Sequence, residues 1–173
     1  MRFSPKARVL ASVIGLAFSL GVAATSGSST AAPSQHLAAS TLLGTWSLDT
    51  SRMAMPPEQR PKSVSFTFGD AGNNTLAMHV DIVYAPGNEV HSAGTSALDG
   101  TPAAVKNSPE ADTASFKLPA PNVLIMALQR KGVLVSTRIY SVLPDGRSLT
   151  ETAVYPGENG SIVMKTNHFT RVR

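Results

Sequence analysis

Leu43-Gly44-Thr45-Trp46-Ser47-Leu48-Asp49 is the stretch that decides the reading of this chain, and it carries the only tryptophan. Its Gly-x-Trp opening, with Arg171 in the last apolar run, points to a small closed β-barrel. From Leu42 onward, short runs rich in Val, Ile, Thr, Phe and Tyr are divided by Gly, Pro, Asp and Asn, which is an all-β pattern. The runs predict nine strands, over residues 43–49, 63–68, 75–84, 89–98, 113–118, 123–130, 133–143, 148–155 and 161–172. No long helical period interrupts them. Between them lie turn sequences such as Ala85-Pro86-Gly87-Asn88, Asp99-Gly100, Lys131-Gly132 and Pro144-Asp145-Gly146-Arg147, which favour tight hairpins.

Apolar residues alternate within the runs. Val64, Phe66 and Phe68 share one face, and Leu76, Met78, Val80, Ile82 and Tyr84 share another. Each strand therefore has one face to bury. Eight or nine antiparallel strands can close as an up-and-down barrel or stack as a sandwich. Hairpin connections favour the barrel, because Greek-key sandwiches need longer crossovers.

Upstream, Arg2, Lys6 and Arg8 precede an apolar stretch over residues 9–24 that ends in Val22-Ala23-Ala24, the pattern of a secretory signal peptide. An alternative cut follows Ala31. The stretch is shorter than the ~20 apolar residues of a membrane span, so no stable membrane anchor is expected. Residues 25–41 are rich in Ser, Thr and Ala and read as a flexible leader; residues 42–173 read as one domain. The expected destination is the periplasm or the medium. Formal net charge is +4, but three of the 15 basic residues fall in the signal, which leaves 12 against 11 acidic ones. The basic residues are scattered, so neither a nucleic-acid footprint nor a polybasic membrane patch is expected. With no cysteine, stability must come from an apolar core.

The start Gly44-Thr45-Trp46-Ser47-Leu48-Asp49 resembles the Gly-Thr-Trp opening of lipocalin-like (calycin-type) barrels. Leu98-Asp99-Gly100, Asn107-Ser108-Pro109, Ala111-Asp112-Thr113-Ala114-Ser115, Lys131-Gly132 and the segment around Asp145-Gly146-Arg147 are similar to a largely uncharacterised family of exported bacterial lipocalin-like proteins. The resemblance implies a barrel rather than a reaction, since its motifs are turns and strand ends. It also implies that Trp46 closes one end of the barrel beneath a basic side chain of the last strand, with Arg171 in that position and Arg173 as the alternative.

Chemistry-bearing residues are few. His36 belongs to the leader. A Pro86-Gly87 turn pairing Tyr84 with Glu89 would set His79 opposite Gly94 and His91 opposite Ile82, on opposite faces, so these two histidines would not share a metal. No metal site and no cofactor is expected. His168, on the last strand, is the one weak haem-ligand candidate, since some calycin-type barrels hold haem through a single histidine. No Gly-x-Ser-x-Gly elbow or phosphate loop is present, and Glu89, Asp99, Glu110, Asp112, Asp145 and Glu158 read mostly as turn residues, so no catalytic constellation is found.

What remains is a lining. Met78, Val80, Ile82, Tyr84 and His91 are the candidate ligand-cavity residues, with Tyr84, Glu89 and His91 as its polar end and Ile125, Ala127, Ile139 and Tyr140 as further lining. The expected function is an exported, non-catalytic barrel that binds or carries a small hydrophobic ligand. The alternatives are a haem-binding barrel and a filled barrel acting as a cell-envelope scaffold, contacting its partner through loops 53–62 and 102–109.

Overall fold

A computed structural model describes residues 37–172; the signal segment, both of its cut sites, leader residues 25–36 with His36, and Arg173 lie outside the described residues. Ten strands follow one another: β1 (Gly44–Leu48), β2 (Ser63–Asp70), β3 (Thr75–Ala85), β4 (Asn88–Ala97), β5 (Ala103–Lys106), β6 (Thr113–Ala120), β7 (Val123–Arg130), β8 (Val133–Val142), β9 (Ser148–Pro156) and β10 (Ile162–Arg171). Each pairs antiparallel with its sequence neighbours, and β1 also pairs with β10, so the sheet closes into an up-and-down barrel. Closure leaves no free edge.

The nine expected strands are all present, and the tenth, β5, lies in the segment 102–109 that was read as a loop. β5 is only four residues long and pairs over two positions on each side, Ala93 with Lys106 and Gly94 with Val105 toward β4, then Ala103 with Ala114 and Ala104 with Thr113 toward β6. So short a strand leaves almost no periodic signal.

Alternation sets which side chains enter the lumen. Val64, Phe66 and Phe68 from β2, Leu124, Met126 and Leu128 from β7, and Leu149, Glu151 and Ala153 from β9 are all buried, with more exposed residues between them. Phe66 meets Tyr140 edge-on at 5.9 Å and Tyr140 meets Phe68 edge-on at 5.5 Å, while Phe66 packs on Phe169 at 4.9 Å with the rings tilted by 38°. These four rings form a floor. Edge-to-face contacts of this kind add about 0.5–1.5 kcal/mol each beyond the area they bury.

Toward the other end Leu42, Trp46, Leu76, Leu124 and Leu149 are buried together. Trp46 is fully buried, donates its indole N–H to the Leu42 carbonyl at 2.8 Å, and carries the Arg171 guanidinium 4.1 Å above its ring. Arg171 also donates to the carbonyls of Leu43 at 2.7 Å, Gly146 at 2.9 Å and Thr41. The guanidinium thus ties the start of β1 and the β8–β9 turn to the last strand. Gly44 makes the approach feasible: its φ is +121°, and a Cβ there would stand 2.7 Å from Arg171 Nη1.

Residues 37–41, read as part of the leader, belong to this end of the barrel. Leu37 is 2% exposed in the short 3₁₀ turn Leu37–Ala39, Ser40 Oγ donates to the Pro121 carbonyl at 2.7 Å, and the Thr41 N–H donates to the same oxygen at 3.0 Å. Ser and Thr here satisfy main-chain groups rather than solvate a linker.

Candidate functional site

Above the aromatic floor the lumen opens into a cavity of about 450 Å³ that reaches solvent at the end opposite Trp46. Met78, Val80 and Ile82 of β3 line it, with Val64, Phe66, Phe116, Met126 and Leu128. The mouth is framed by Met53, Met55 and Pro61 from the β1–β2 connection, by Tyr84, and by Ser108 and Pro109 after β5. Both loops read as partner-contacting therefore contribute to the rim of the cavity.

The opposite wall, on β8, β9 and β10, is polar. Alternation along Ser136-Thr137-Arg138-Ile139-Tyr140 turns Ser136, Arg138 and Tyr140 inward, and along β9 it turns Glu151 inward between Leu149 and Ala153. Sheet register then assembles the cluster, because Tyr140 pairs with Glu151 and Glu151 with Asn167. Glu151 Oε1 accepts from Arg138 Nη1 and from the Tyr140 hydroxyl, both at 2.8 Å, and Oε2 accepts from the Asn167 amide at 2.6 Å. Glu110, in the β5–β6 connection, accepts from Arg138 Nη2 through Oε2 and from Ser136 Oγ at 2.8 Å through Oε1. Arg138 Nη2 also donates to the Tyr155 hydroxyl at 3.3 Å.

Such a group survives burial only because each of its members has a hydrogen-bond partner. Taking an isolated charge out of water costs several kcal/mol, and pairing plus hydrogen bonds must offset it. Among the described residues no buried side-chain nitrogen or oxygen lacks a partner. Burial works against the charge of Arg138, but Tyr140, Glu151 and Glu110 around it hold its pKa above the usual arginine range. Burial, reinforced by Glu151, pushes the Tyr140 phenol well up, and burial raises Tyr155 as well. Both phenols keep their protons at neutral pH; Tyr140 donates to Glu151 and Tyr155 accepts from Arg138.

Of the cavity residues read from sequence, Met78, Val80, Ile82 and Tyr84 are on the lining and His91 is not. Tyr84 is an extra residue in the β3–β4 pairing: Ala85 opposes Asn88 across the turn, but Val83 opposes Glu89, so the register beyond shifts by one. His91 therefore faces Asp81 and His79 faces Ala93, which puts both histidines on the outer face rather than on opposite faces. There His91 bonds Asp81 at 2.7 Å and Glu89 at 3.3 Å, with 62% of its side chain exposed. Of the polar end read as Tyr84, Glu89 and His91, only Tyr84 reaches the cavity, and the charged groups on its wall are Arg138, Glu110 and Glu151. Among the described residues, no three His, Cys, Asp or Glu side chains gather in a geometry suited to a metal ion.

His168 lies between Asn167 and Phe169, both of which reach the cavity, and an unbroken β10 register turns it to the outer face. It has no access to the lumen as a haem ligand. Ile125 and Ile139 alternate outward in the same way, whereas Tyr140 faces inward as expected. The turn reading holds for Asp99, Asp112 and Asp145, whose carboxylates accept main-chain N–H groups. Glu110 also lies in a connection, but its carboxylate accepts from Ser136 and Arg138 instead of main-chain N–H groups, and Glu89 lies within β4.

No protein-family model matches the sequence, and no curated protein is significantly similar to it.

Proposed function

We propose that this protein is an exported lipocalin-like barrel that takes one small, largely apolar molecule into its open end and carries it without transforming it. The observation that carries this reading is the cavity itself, about 450 Å³ above an aromatic floor. Small-molecule sites have volumes of roughly 300–1,000 Å³, mostly apolar walls and a few fixed polar groups. An open lumen weighs against a filled scaffold barrel, and the outward His168 weighs against haem. The N-terminal basic-then-apolar pattern supports export.

A second reading, an enzyme acting on an enclosed substrate, is favoured by one observation: two carboxylates, Glu110 and Glu151, converge on Arg138 at the cavity wall. General acid–base work needs a carboxyl group free to exchange a proton with the substrate. Both oxygens of Glu151 are already engaged by Arg138, Tyr140 and Asn167, which supports a positioning network over a reacting one.

The test is native mass spectrometry of the protein from cells that export it, together with uptake of a neutral apolar dye. Bound extra mass, or dye uptake lost in Val80→Trp and Ile82→Trp while their melting temperatures hold, supports the carrier reading. A bare polypeptide mass with no dye uptake overturns it in favour of the scaffold. Extra mass that is chemically altered during incubation supports the enzyme.

A further inference from the structure

We propose that the polar wall of the cavity selects a ligand with a cationic, hydrogen-bond-donating head, an amine on an apolar body, and rejects the matching carboxylate. This rests on the cavity being a ligand site. An arginine in an apolar pocket ordinarily suggests an anion partner. Here that role is filled from within: Nη1 is held by Glu151 and Nη2 by Glu110 and Tyr155.

The charges lining the cavity are Glu110, Arg138 and Glu151, two carboxylates against one guanidinium. They also differ in reach. Glu151 is 1% exposed and Arg138 13%, but Glu110 is 32% exposed, so the charge an incoming head group meets is a carboxylate. Each Glu110 oxygen accepts one bond in the structure and has capacity for a second, and the protonated Tyr155 phenol stands beside it. An ammonium can add its donors there without breaking a bond. A carboxylate would have to displace Glu110 from Arg138 or sit beside it as a like charge in a poorly hydrated site, where repulsion is stronger than in water.

The cations near the rim do not reverse this balance. Lys165 Nζ lies 5.7 Å from the Tyr155 ring centroid but is not part of the lining, and Arg60 is turned to the carbonyls of Met55 and Ser51. Glu110 is itself held from outside the lumen, since Arg130 donates to its main-chain carbonyl at 2.9 Å. The carboxylate is thus presented by a fixed backbone.

The experiment is displacement of a neutral apolar dye from the purified protein by decylamine, decanol and decanoate at pH 7. Charge discrimination in a partly desolvated site predicts that decylamine binds about tenfold or more tighter than decanoate, with decanol between them. Glu110→Gln should narrow that ratio to about twofold, by removing the exposed charge. Decanoate binding as tightly as decylamine to the unaltered protein would overturn the proposal while leaving the carrier reading intact, and this comparison needs no variant to fold. A ratio unchanged in folded Glu110→Gln would overturn the assignment to Glu110. Failure of the dye and all three compounds to bind would overturn both readings together.

Discussion

Two arginines point into this barrel, one at each side of the aromatic floor, and they are satisfied in opposite ways. Arg171 lies over Trp46 and donates to three main-chain carbonyls, those of Thr41, Leu43 and Gly146. Arg138 stands over the cavity and donates to two carboxylates and a phenol. Carbonyl partners come from the ends of strands and fix where the chain passes, so Arg171 works as a clasp. Carboxylate partners come from side chains that bring their own charge into the lumen, so Arg138 creates a polar surface that a packed core would not need.

Breaking the clasp should have the largest effect. Trp46→Ala removes a fully buried indole, its bond to Leu42 and the stacking of Arg171. A large-to-small core change costs about 3–5 kcal/mol, and the two lost polar contacts add about 1 more, so unfolding in urea should report a loss of about 5 kcal/mol. Any fraction that stays folded should keep its affinity for an apolar dye, because Phe66, Tyr140 and Phe169 line the cavity and Trp46 does not. Loss of dye affinity in such a folded fraction would break the separation of the two ends.

Glu151→Leu should follow at about 3–5 kcal/mol, since it leaves part of the Arg138 charge, the Tyr140 hydroxyl and the Asn167 amide buried without their acceptor. The double change Arg138→Met with Glu151→Leu should recover only the part due to the unpaired guanidinium, because Tyr140 and Asn167 still lack their acceptor and Glu110 loses its cation. The urea midpoints of both singles and the double close the cycle. A single change costing under about 1 kcal/mol would mean that water already reaches the pair.

Gly44→Ala sharpens the clasp at a smaller scale. A φ of +121° strains any side chain, at about 1–3 kcal/mol, and the added Cβ also meets Arg171 Nη1 at 2.7 Å. In an Arg171→Met background the contact part of the penalty should vanish and the backbone part remain. Full additivity of the two changes would show that Arg171 does not press on Gly44.

The two ends were not equally legible in the sequence. The clasp was, because the resemblance marks Trp46 and Arg171 as its two members, and the meander followed from its turn sequences. The polar wall was missed for a physical reason: charged residues in half-buried strands default to the solvent side, and Arg138 and Glu151 stand next to Ile139, Thr150 and Thr152, which suit either face. Their phase with Tyr140 and with Leu149 was the available signal. Glu110 carried none, since a carboxylate beside Pro109 reads as a turn residue until the fold swings it into the lumen. His91 was misplaced by Tyr84, a single bulged residue that inverts the face of everything beyond it in the partner strand.

That inversion supplies the smallest prediction and a control for the lumen cluster. On the outer face His91 also stands between two carboxylates, Asp81 and Glu89, in the same charge pattern as Arg138 but in water. The hydrogen bond that His91 donates to Asp81, and then that to Glu89, raise the His91 pKa above its ordinary 6.5. A histidine pKa raised by folding stabilises the folded state fully below the unfolded value near 6.5 and loses that contribution as pH climbs through the folded one. His91→Gln should therefore lower the melting temperature slightly at pH 5.5 and leave it unchanged at pH 9, with less effect in high salt. A deficit that grows with pH would sink this account, whereas the Glu151→Leu loss should persist at high salt, because its partners are shielded from the solvent ions that screen His91.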